Sequence, residues 1–303
     1  TVVSIGTTLP EVMVSANSAL SGHGEIAYGN ALGSIICNTA LIAAITVAVK
    51  PGKIDRKALK VPVAFFFIAL MIYAFGAYIR GSFERPLGIV LLLIFLTYMI
   101  ILIRQAFDEI KAGGGSSDTA TPENGSNKTD AKDKEEVKSD KKDNPIWKDL
   151  IFLVVGAAFI AVGADLLVDN GTIIAKTLGV PESVIALTIV ALGTSLPELV
   201  TAITSLAKGH GALSLGNVCG ANLFNLVFVS GLAITLSPFG LPDGKTVSLG
   251  VNVVNASLVV DLPVAFLVMA ILTIPAMIKG ELRRWQGITL LVSYAAFCIF
   301  QFI

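Results

Sequence analysis

The chain has 303 residues, of which 54% are hydrophobic and only 15% are charged. Soluble domains carry about 25% charged residues, so this composition argues against a soluble enzyme and against a disordered scaffold. The 22 basic and 22 acidic residues cancel, which leaves no basic footprint for nucleic acid. Three cysteines lie in apolar runs without the spacing of a zinc site or a disulfide framework, and we expect them to be packing residues; they are Cys37, Cys219 and Cys298.

Long apolar runs recur along the chain. A helix needs roughly 20 apolar residues to cross a hydrocarbon core about 30 Å thick. We therefore predict an all-α membrane protein with about nine spanning helices, because open sheet edges are not tolerated in lipid. In chain order the predicted spans are Thr1–Leu20, Ile26–Val49, Val61–Ile79, Leu87–Ile103, Trp147–Leu167, Glu182–Leu206, Ala212–Leu236, Val260–Ile278 and Ile288–Ile303.

A polar stretch interrupts these runs at residues 108–146. It holds much of the charge of the chain and almost no large apolar residues, so it cannot bury a core. We predict a flexible linker that divides the chain into a first half, residues 1–107, and a second half, residues 147–303.

The two halves repeat each other. The segment TVVSIGTTLPE at Thr1–Glu11 matches TIVALGTSLPE at Thr188–Glu198, and the same offset aligns Asn38 with Asn225. The second half has one predicted helix more, because Trp147–Leu167 has no visible mate in the first half. We infer a unit of five helices and ten helices in the intact protein, whose first helix is missing here. An odd number per unit inserts the second unit in the inverted orientation.

Loop charge predicts the orientation in the membrane. Most lysines and arginines fall in the linker and in loops on the same side, which the positive-inside rule assigns to the cytoplasm. The C-terminus and the Gly-His-Gly loop around His23 are then expected outside. His23 and His210, each in such a connection, are interpreted as loop residues rather than proton sensors. Asp261 is interpreted as an acidic residue that opens a helix.

Two acidic residues are the strongest candidates for chemistry. Glu11 and Glu198 lie near the middle of their predicted helices, where a charge is costly and indicates function. Each follows a proline, Pro10 or Pro197, which removes a helical hydrogen bond and frees carbonyl oxygens. Carbonyl, hydroxyl and carboxylate oxygens are the ligands of hard cations such as Ca²⁺ and Na⁺, and inverted repeats bring such segments together at the midplane.

The next helix of each half adds an amide, Asn38 or Asn225, whose carbonyl oxygen can complete a coordination shell. Two carboxylates give the site a charge of about −2, which one Ca²⁺, two Na⁺ or two H⁺ would neutralise. Because these ions compete for the same carboxylates, the sequence predicts a secondary active antiporter rather than an enzyme, and no cofactor. Coupling to H⁺, a Ca²⁺ sensor without flux, and a channel remain as alternatives.

The motifs GTTLPE…GNALGSIICN and GTSLPE…GNVCGANLFN resemble the two α-repeats of the sodium/calcium exchanger family in its prokaryotic form. The resemblance covers nearly all of the chain outside the linker. It implies ten helices in two inverted five-helix repeats, and exchange of Na⁺ for Ca²⁺ by alternating access at one central site. The short linker carries no eukaryote-type regulatory domain and indicates a prokaryotic source, so we expect a multi-pass protein of a prokaryotic cell membrane. We also expect it to work in lipid as a monomer.

The resemblance implies an ion-binding set by motif position. Two main-chain carbonyls and nine side chains contribute. The carbonyls are those of Ser4 and Ala191, and the side chains are those of Thr7, Thr8, Glu11, Ser34, Asn38, Thr194, Ser195, Glu198 and Asn225.

Three positions depart from the family pattern. Asn225 stands where many members have Asp, Ala221 where Ser is expected, and Ile35 where Asn is expected. The first departure removes one carboxylate from the site. Together they argue against co-transport of K⁺, and they leave the stoichiometry and the choice between Na⁺ and H⁺ open.

Overall fold

The computed structural model describes residues 6–111, 159, 162–163, 166–207, 213–250 and 252–303. Backbone contacts divide the chain into two units, of which one comprises Thr1–Tyr98 with Phe159–Ile303 and the other Met99–Ala158. The site residues discussed below belong to the first unit. The predicted linker lies almost entirely outside the described residues, so the division into two halves around it stays a prediction.

Helices account for most of the described residues. Those of the first half are α1 (Leu9–Leu20), α2 (Gly24–Val49), α3 (Arg56–Arg80) and α4 (Arg85–Lys111). Those of the second half are α5 (residues 166–178), α6 (Glu182–Thr194), α7 (Leu196–Ala207), α8 (residues 213–236), α9 (Ser257–Lys279) and α10 (Arg284–Phe302).

These helices confirm an all-α membrane architecture. Within the described part of the chain, six helices are long and apolar enough to cross a membrane, and the bent pair α6–α7 makes a seventh. Two further predicted spans, Thr1–Leu20 and Trp147–Leu167, are described only in part. The predicted end of the second span, Leu167, is wrong, because α5 continues to residue 178. Its Val168 and Ala175 are buried against Ile185 and Val190 of α6, and this packing extends the helix.

Burial separates central helices from peripheral ones. The most apolar windows of α2 and α8 are 78% and 83% buried inside the protein, whereas that of α4 is only 17% buried. Glycines let α2 approach α6 closely. A Cβ atom on Gly33 would lie 2.5 Å from the carbonyl oxygen of Leu187, and one on Gly29 would lie 2.5 Å from Cβ of Ala186. This close approach brings the end of α6 against α2.

Short backbone pairs join the two halves. Strand β1 (Ser82–Phe83), which follows α3, pairs with strand β2 (Phe239–Gly240), which follows α8. Lys53, which follows α2, forms a β-bridge with Glu281, which follows α9. Gly240 follows Lys53 at the same offset that separates Glu198 from Glu11, so each backbone pair is the repeat image of the other. Lys53 lies before α3 and Ser82 lies after it, so the connections at the two ends of α3 make equivalent pairs with the second half. Inverted repeats require this equivalence.

The second half carries an insertion that hydropathy did not reveal. The difference in residue number between repeat mates is the same for Glu198 and Asn225 and their mates in the first half. It is larger for Pro263, whose mate is Pro62. The hairpin of β3 (Thr246–Leu249) and β4 (Asn252–Asn255) lies in this interval, in the connection between α8 and α9. The strands thus lie outside the predicted spans.

Asp261 does not open its helix, and the prediction for this residue was wrong. The helix begins at Ser257 with a π-helical stretch that ends at Asp261. The Asp261 side chain is buried and accepts a hydrogen bond of 2.7 Å from Nε2 of Gln301. A buried contact between α9 and α10, rather than the start of a helix, accounts for this residue.

Candidate ion-binding site

Each repeat has a break in its helix directly before the Leu-Pro-Glu motif. The break lies at Thr8, with φ −90° and ψ 5°, and at Ser195, with φ −85° and ψ 6°. The two residues are repeat mates and have nearly identical dihedral angles. In the second repeat α6 and α7 meet at a bend of 47°. The prolines that follow explain the breaks, because proline removes a helical hydrogen bond and fits the first turn of a new helix.

The two carboxylates lie in the first turns of α1 and α7, and each is held by the opposite repeat. Glu11 is fully buried, and its Oε1 accepts a hydrogen bond of 3.2 Å from the Ser195 hydroxyl. Glu198 is 9% exposed, and its Oε1 accepts a hydrogen bond of 3.4 Å from the Thr8 hydroxyl. The Thr7 side chain also hydrogen-bonds to Glu198. Five of the predicted ligands therefore form one cluster, in which Glu11, Ser195, Glu198 and Thr8 make two repeat-related hydrogen bonds and Thr7 adds a third.

The two predicted amide ligands lie at equivalent irregularities. Asn38 begins the π-helical segment Asn38–Ala43 within α2, and Asn225 begins the π-helical segment Asn225–Val229 within α8. The segment at Asn38 packs against α7, and the segment at Asn225 packs against α1. Each amide-bearing segment therefore contacts the helix that carries the carboxylate of the other repeat. Short π segments inside α-helices occur frequently at functional sites.

Unpartnered polar atoms make this cluster the candidate binding site. Oε2 of Glu11, Oε2 of Glu198, and both amide atoms of Asn38 and Asn225 are buried without a hydrogen-bond partner. More than about 90% of buried polar groups in proteins are paired, so each exception needs an explanation. Tyr28, Thr172 and Asn222 also have one such atom each. Among the described residues with such atoms, Glu11, Glu198, Asn38 and Asn225 alone form two pairs of repeat mates. A bound cation would satisfy their oxygens.

A second group of oxygens surrounds Thr194 at the end of α6. The Thr194 hydroxyl lies 3.0 Å from Oδ1 of Asn30, 3.2 Å from the carbonyl oxygen of Ala191 and 3.4 Å from Oγ of Ser34. All four residues are buried. The structure thus brings together the predicted ligands Ser34, Ala191 and Thr194. The predicted ligand Ser4 lies outside the described residues.

The sequence reading missed buried polar residues that support the site. Asn30 bonds to three neighbours, and its signal was the Gly29-Asn30 pair that recurs at Gly216-Asn217. Asn222 donates to Oγ1 of Thr39 at 2.6 Å and to Sδ of Met269 at 3.2 Å. Asn222 is the repeat mate of Ile35, so this polar contact exists in one half only.

His23 is less simple than a loop residue. It precedes the first residue of α2, and its Nδ1 lies 2.8 Å from Oε2 of Glu182 in the first turn of α6. The contact joins the two repeats away from the carboxylate pair. His210 lies outside the described residues. Across the described ranges, no group of three or more His, Cys, Asp or Glu side chains could hold a metal ion, so the candidate site depends on hydroxyl, amide and carbonyl oxygens beside two acids.

Comparison with known proteins agrees with this geometry. The sequence profile of the family described as "Sodium/calcium exchanger protein" matches residues 1–104 and 148–303. The inner membrane protein YrbG of Escherichia coli is 32% identical over 238 residues, which cover 78% of this chain and 68% of YrbG. The sodium/calcium exchanger MaX1 of Methanosarcina acetivorans is 28% identical over 326 residues, which cover 100% of this chain and 87% of MaX1.

A solved structure is also similar over nearly the full chain. The sodium-calcium exchanger NCX_Mj, in a crystal soaked with 2.5 mM Na⁺ and 10 mM Sr²⁺, superposes with a TM-score of 0.60 at 27% sequence identity. The match covers 98% of this chain and 83% of that one.

Proposed function

The chain belongs to the sodium/calcium exchanger family, and from that premise we propose that it exchanges Na⁺ for Ca²⁺ across a membrane by alternating access at one central site. The observation that carries the proposal is the repeat-related set of buried oxygens without a partner at Glu11, Glu198, Asn38 and Asn225. The protein is an integral membrane protein with many spans.

The geometry supports exchange through charge balance. Glu11 and Glu198 lie in one cluster, because each accepts a hydrogen bond from the hydroxyl three residues before the other, and the ion pairs of the described residues lie elsewhere. Two buried carboxylates of like charge need metal cations nearby whenever they are not protonated, because an uncompensated buried charge is very costly. One Ca²⁺ or two Na⁺ would compensate them equally. An empty site is therefore unfavourable, and occupancy by one ion species displaces the other.

We propose that the full ligand set comprises the carbonyls of Ser4 and Ala191 and the nine predicted side chains. Hydroxyl and amide oxygens suit Na⁺ and Ca²⁺, which are hard cations that prefer oxygen. Exchange of ions breaks no covalent bond, so the proposal includes neither a catalytic residue nor a cofactor.

Coupling to H⁺ instead of Na⁺ is not favoured. The similar proteins MaX1 and NCX_Mj are called sodium/calcium exchangers, and a further similar protein is a sodium/potassium/calcium exchanger of Mus musculus; each of these names states sodium. The same vesicles can test both ions, because a pH gradient can replace the Na⁺ gradient.

The sidedness is also a proposal. Loop charge places the linker at residues 108–146 in the cytoplasm and the C-terminus outside, in a prokaryotic cell membrane. The site is built from the two halves of one chain, and we propose that a monomer transports.

The decisive experiment is ⁴⁵Ca²⁺ uptake by proteoliposomes that are loaded with Na⁺ and diluted into Na⁺-free buffer at constant pH. We expect uptake to require the outward Na⁺ gradient. Glu198→Gln should abolish it, because the substitution removes half of the charge that balances Ca²⁺. The matched control is Glu84→Gln, since Glu84 is an exposed acid that pairs with Arg80 far along the chain from either motif.

Each outcome is informative. Uptake driven only by a pH gradient would replace Na⁺ with H⁺ as the coupling ion. Ca²⁺ binding without uptake under either gradient would contradict transport. Full activity of the Glu198→Gln protein would contradict the assigned site.

A further inference from the structure

Asn30 touches the ion site without belonging to the predicted ligand set. It lies on α2, one turn before Ser34 and two turns before Asn38, and it is fully buried. Its Nδ2 donates to the main-chain carbonyl of Glu11 at 3.1 Å and to Oγ of Ser15 at 2.9 Å. Its Oδ1 accepts from the Thr194 hydroxyl at 3.0 Å.

These three bonds fix the orientation of the Asn30 amide. Both hydrogens of Nδ2 face acceptors on α1, and Oδ1 faces a donor on α6. A flipped amide would set its oxygen against the Glu11 carbonyl oxygen, where neither atom has a hydrogen to donate. The oxygen of Asn30 is therefore held permanently toward Thr194.

The Thr194 hydroxyl has one hydrogen and three oxygen atoms within reach. Two of them, Oδ1 of Asn30 at 3.0 Å and the carbonyl oxygen of Ala191 at 3.2 Å, can only accept that hydrogen, whereas the hydroxyl of Ser34 at 3.4 Å can accept it or donate its own. A hydroxyl that bonds back to the carbonyl three residues earlier occupies that carbonyl, as Ser and Thr commonly do in helices. The Ala191 carbonyl oxygen also accepts a hydrogen bond of 3.1 Å from the main-chain N–H of Ser195, which leaves it one lone pair. Where Asn30 accepts the Thr194 hydrogen, that remaining lone pair stays available to an ion.

We propose that Asn30 is a positioning residue that draws the Thr194 hydrogen away from Ala191 and so keeps two oxygens, the Ala191 carbonyl and the Thr194 hydroxyl, turned toward the transported cation. The proposal rests on the proposed function, because it assumes that this site binds Ca²⁺. Asn30 itself does not contact the ion. Its substitution acts only through Thr194 and Ala191.

The test is a double-mutant cycle on the purified full chain, with Ca²⁺ affinity measured by titration calorimetry. Asn30→Ala should weaken Ca²⁺ binding roughly tenfold, the effect of one misdirected ligand hydroxyl. Thr194→Val alone should weaken it to a similar degree. In the double variant, Asn30→Ala should add less than about twofold, because no hydroxyl remains to be redirected.

A structural role would give a different pattern. If Asn30 only stabilised packing between α1 and α2, its effect would be the same with and without the Thr194 hydroxyl. Additive effects in the cycle would therefore overturn the proposal. Ser18→Ala is the matched control, because it removes another buried serine hydroxyl of α1, one that donates to the main-chain carbonyl of Val14 rather than bonding to Asn30. This variant should change Ca²⁺ affinity by less than about twofold.

Asn30→Asp covers the case in which the Asn30→Ala protein does not fold. The aspartate keeps the shape and the acceptor oxygen but loses both donors. In this background Thr194→Val should keep its full effect on Ca²⁺ affinity, and loss of that effect would overturn the proposal. Binding is measured separately from flux. A wild-type chain that binds Ca²⁺ without Na⁺-driven uptake would refute the exchange function, but the double-mutant cycle on Ca²⁺ affinity could still be interpreted. A wild-type chain that binds no Ca²⁺ would refute both.

Discussion

At the scale of single residues, the charge of the site decides which ions can exchange. The described cluster contains two carboxylates, Glu11 and Glu198, and two neutral amides at the next pair of repeat-related positions, Asn38 and Asn225. Affinity of oxygen sites for Ca²⁺ rises with the number of charged ligands. The amide at residue 225 thus keeps the site charge at the value that one Ca²⁺ cancels.

Asn225→Asp tests this charge argument. The substitution is nearly isosteric and adds a third negative charge. We expect Ca²⁺ to bind about tenfold more tightly and Na⁺-driven release of bound Ca²⁺ to become slower. Titration calorimetry measures the first effect, and exchange from ⁴⁵Ca²⁺-loaded vesicles measures the second.

The repeat provides the control for this substitution. Asn38→Asp alters the equivalent position and should shift Ca²⁺ affinity in the same direction. Weaker binding in both variants would mean that these amides face away from the ion.

The residues proposed as principal ligands could be singled out from the sequence because their signals are local, and the structure brings these residues together. A glutamate after Gly-Thr-Thr-Leu-Pro or Gly-Thr-Ser-Leu-Pro, inside an apolar run and duplicated, identifies both acids. The role of Asn30 could not be predicted, because it depends on where Thr194 of the other repeat packs. Its mate in the repeat alignment, Asn217, shows that the position recurs but not which atoms it meets.

At the scale of elements, the π segments determine where the amides point. A π segment accommodates one residue more than the regular helix would hold, so it reorients the side chains at its start without rotating the helix beyond it. Both segments begin at the amide ligand, Asn38 or Asn225. The sequence gives no sign of them, because they lie in apolar runs such as NTALIA and NLVFV that any helix could contain.

Deletion of Val227 tests the role of the second π segment. Removal of one residue should convert Asn225–Val229 to a regular helix while the flanking turns keep their packing. We expect the melting temperature to fall by only a few degrees, which corresponds to about 1 kcal/mol or less, and Ca²⁺ affinity to fall at least tenfold. Thermal unfolding in detergent and calorimetry measure the two quantities.

A deletion in the regular part of the same helix is the comparison. Removal of Ala233, which is buried within Ser230–Leu236, rotates every later residue by about 100° and should lower the melting temperature much more. Equal loss of stability in the two deletion variants would contradict a special role for the π segment.

At the scale of the whole molecule, an aromatic cluster reinforces the backbone pair between the halves. Phe83 is fully buried, with its ring centroid 4.6 Å from that of Tyr73, 5.4 Å from that of Phe239 and 5.8 Å from that of Tyr28. The cluster connects α2, α3 and β1 with β2. None of these residues belongs to the proposed ligand set, so we expect the cluster to act on stability rather than on ion binding.

Phe83→Ala should therefore separate stability from binding. Truncation of a buried phenylalanine costs about 3–5 kcal/mol, and we expect a clear drop in the melting temperature of the purified protein. Ca²⁺ affinity below the new melting temperature should stay unchanged. Phe75→Ala is the control, because Phe75 is 64% exposed on α3 and its loss should leave the melting temperature nearly constant. A large change in Ca²⁺ affinity in the Phe83→Ala protein would show that the cluster also shapes the site.

The overall architecture was easier to predict from the sequence than the short strands that connect the two halves. Hydropathy predicted the spans and the motif pair predicted the inverted repeat, since both depend on residue type along the chain. Two-residue strands such as Ser82–Phe83 carry no periodicity, and their partner, Phe239–Gly240, lies in the other half of the chain. The hairpin at Thr246–Asn255 was visible only as a change in the repeat offset.

A hydroxyl of each half donates a hydrogen bond to the carboxylate of the other half, so the two halves cannot evolve independently at this site. A mutation of Ser195 that removes its hydroxyl removes a hydrogen bond of Glu11. A mutation of Thr8 that removes its hydroxyl removes a hydrogen bond of Glu198. Two duplicated segments with independent sites could diverge freely, and one copy could decay. Here neither copy can decay alone. Thr8 and its mate Ser195 differ but both keep a hydroxyl, whereas Ile35 and its mate Asn222, which lie beside the exchanged pairs, differ in polarity.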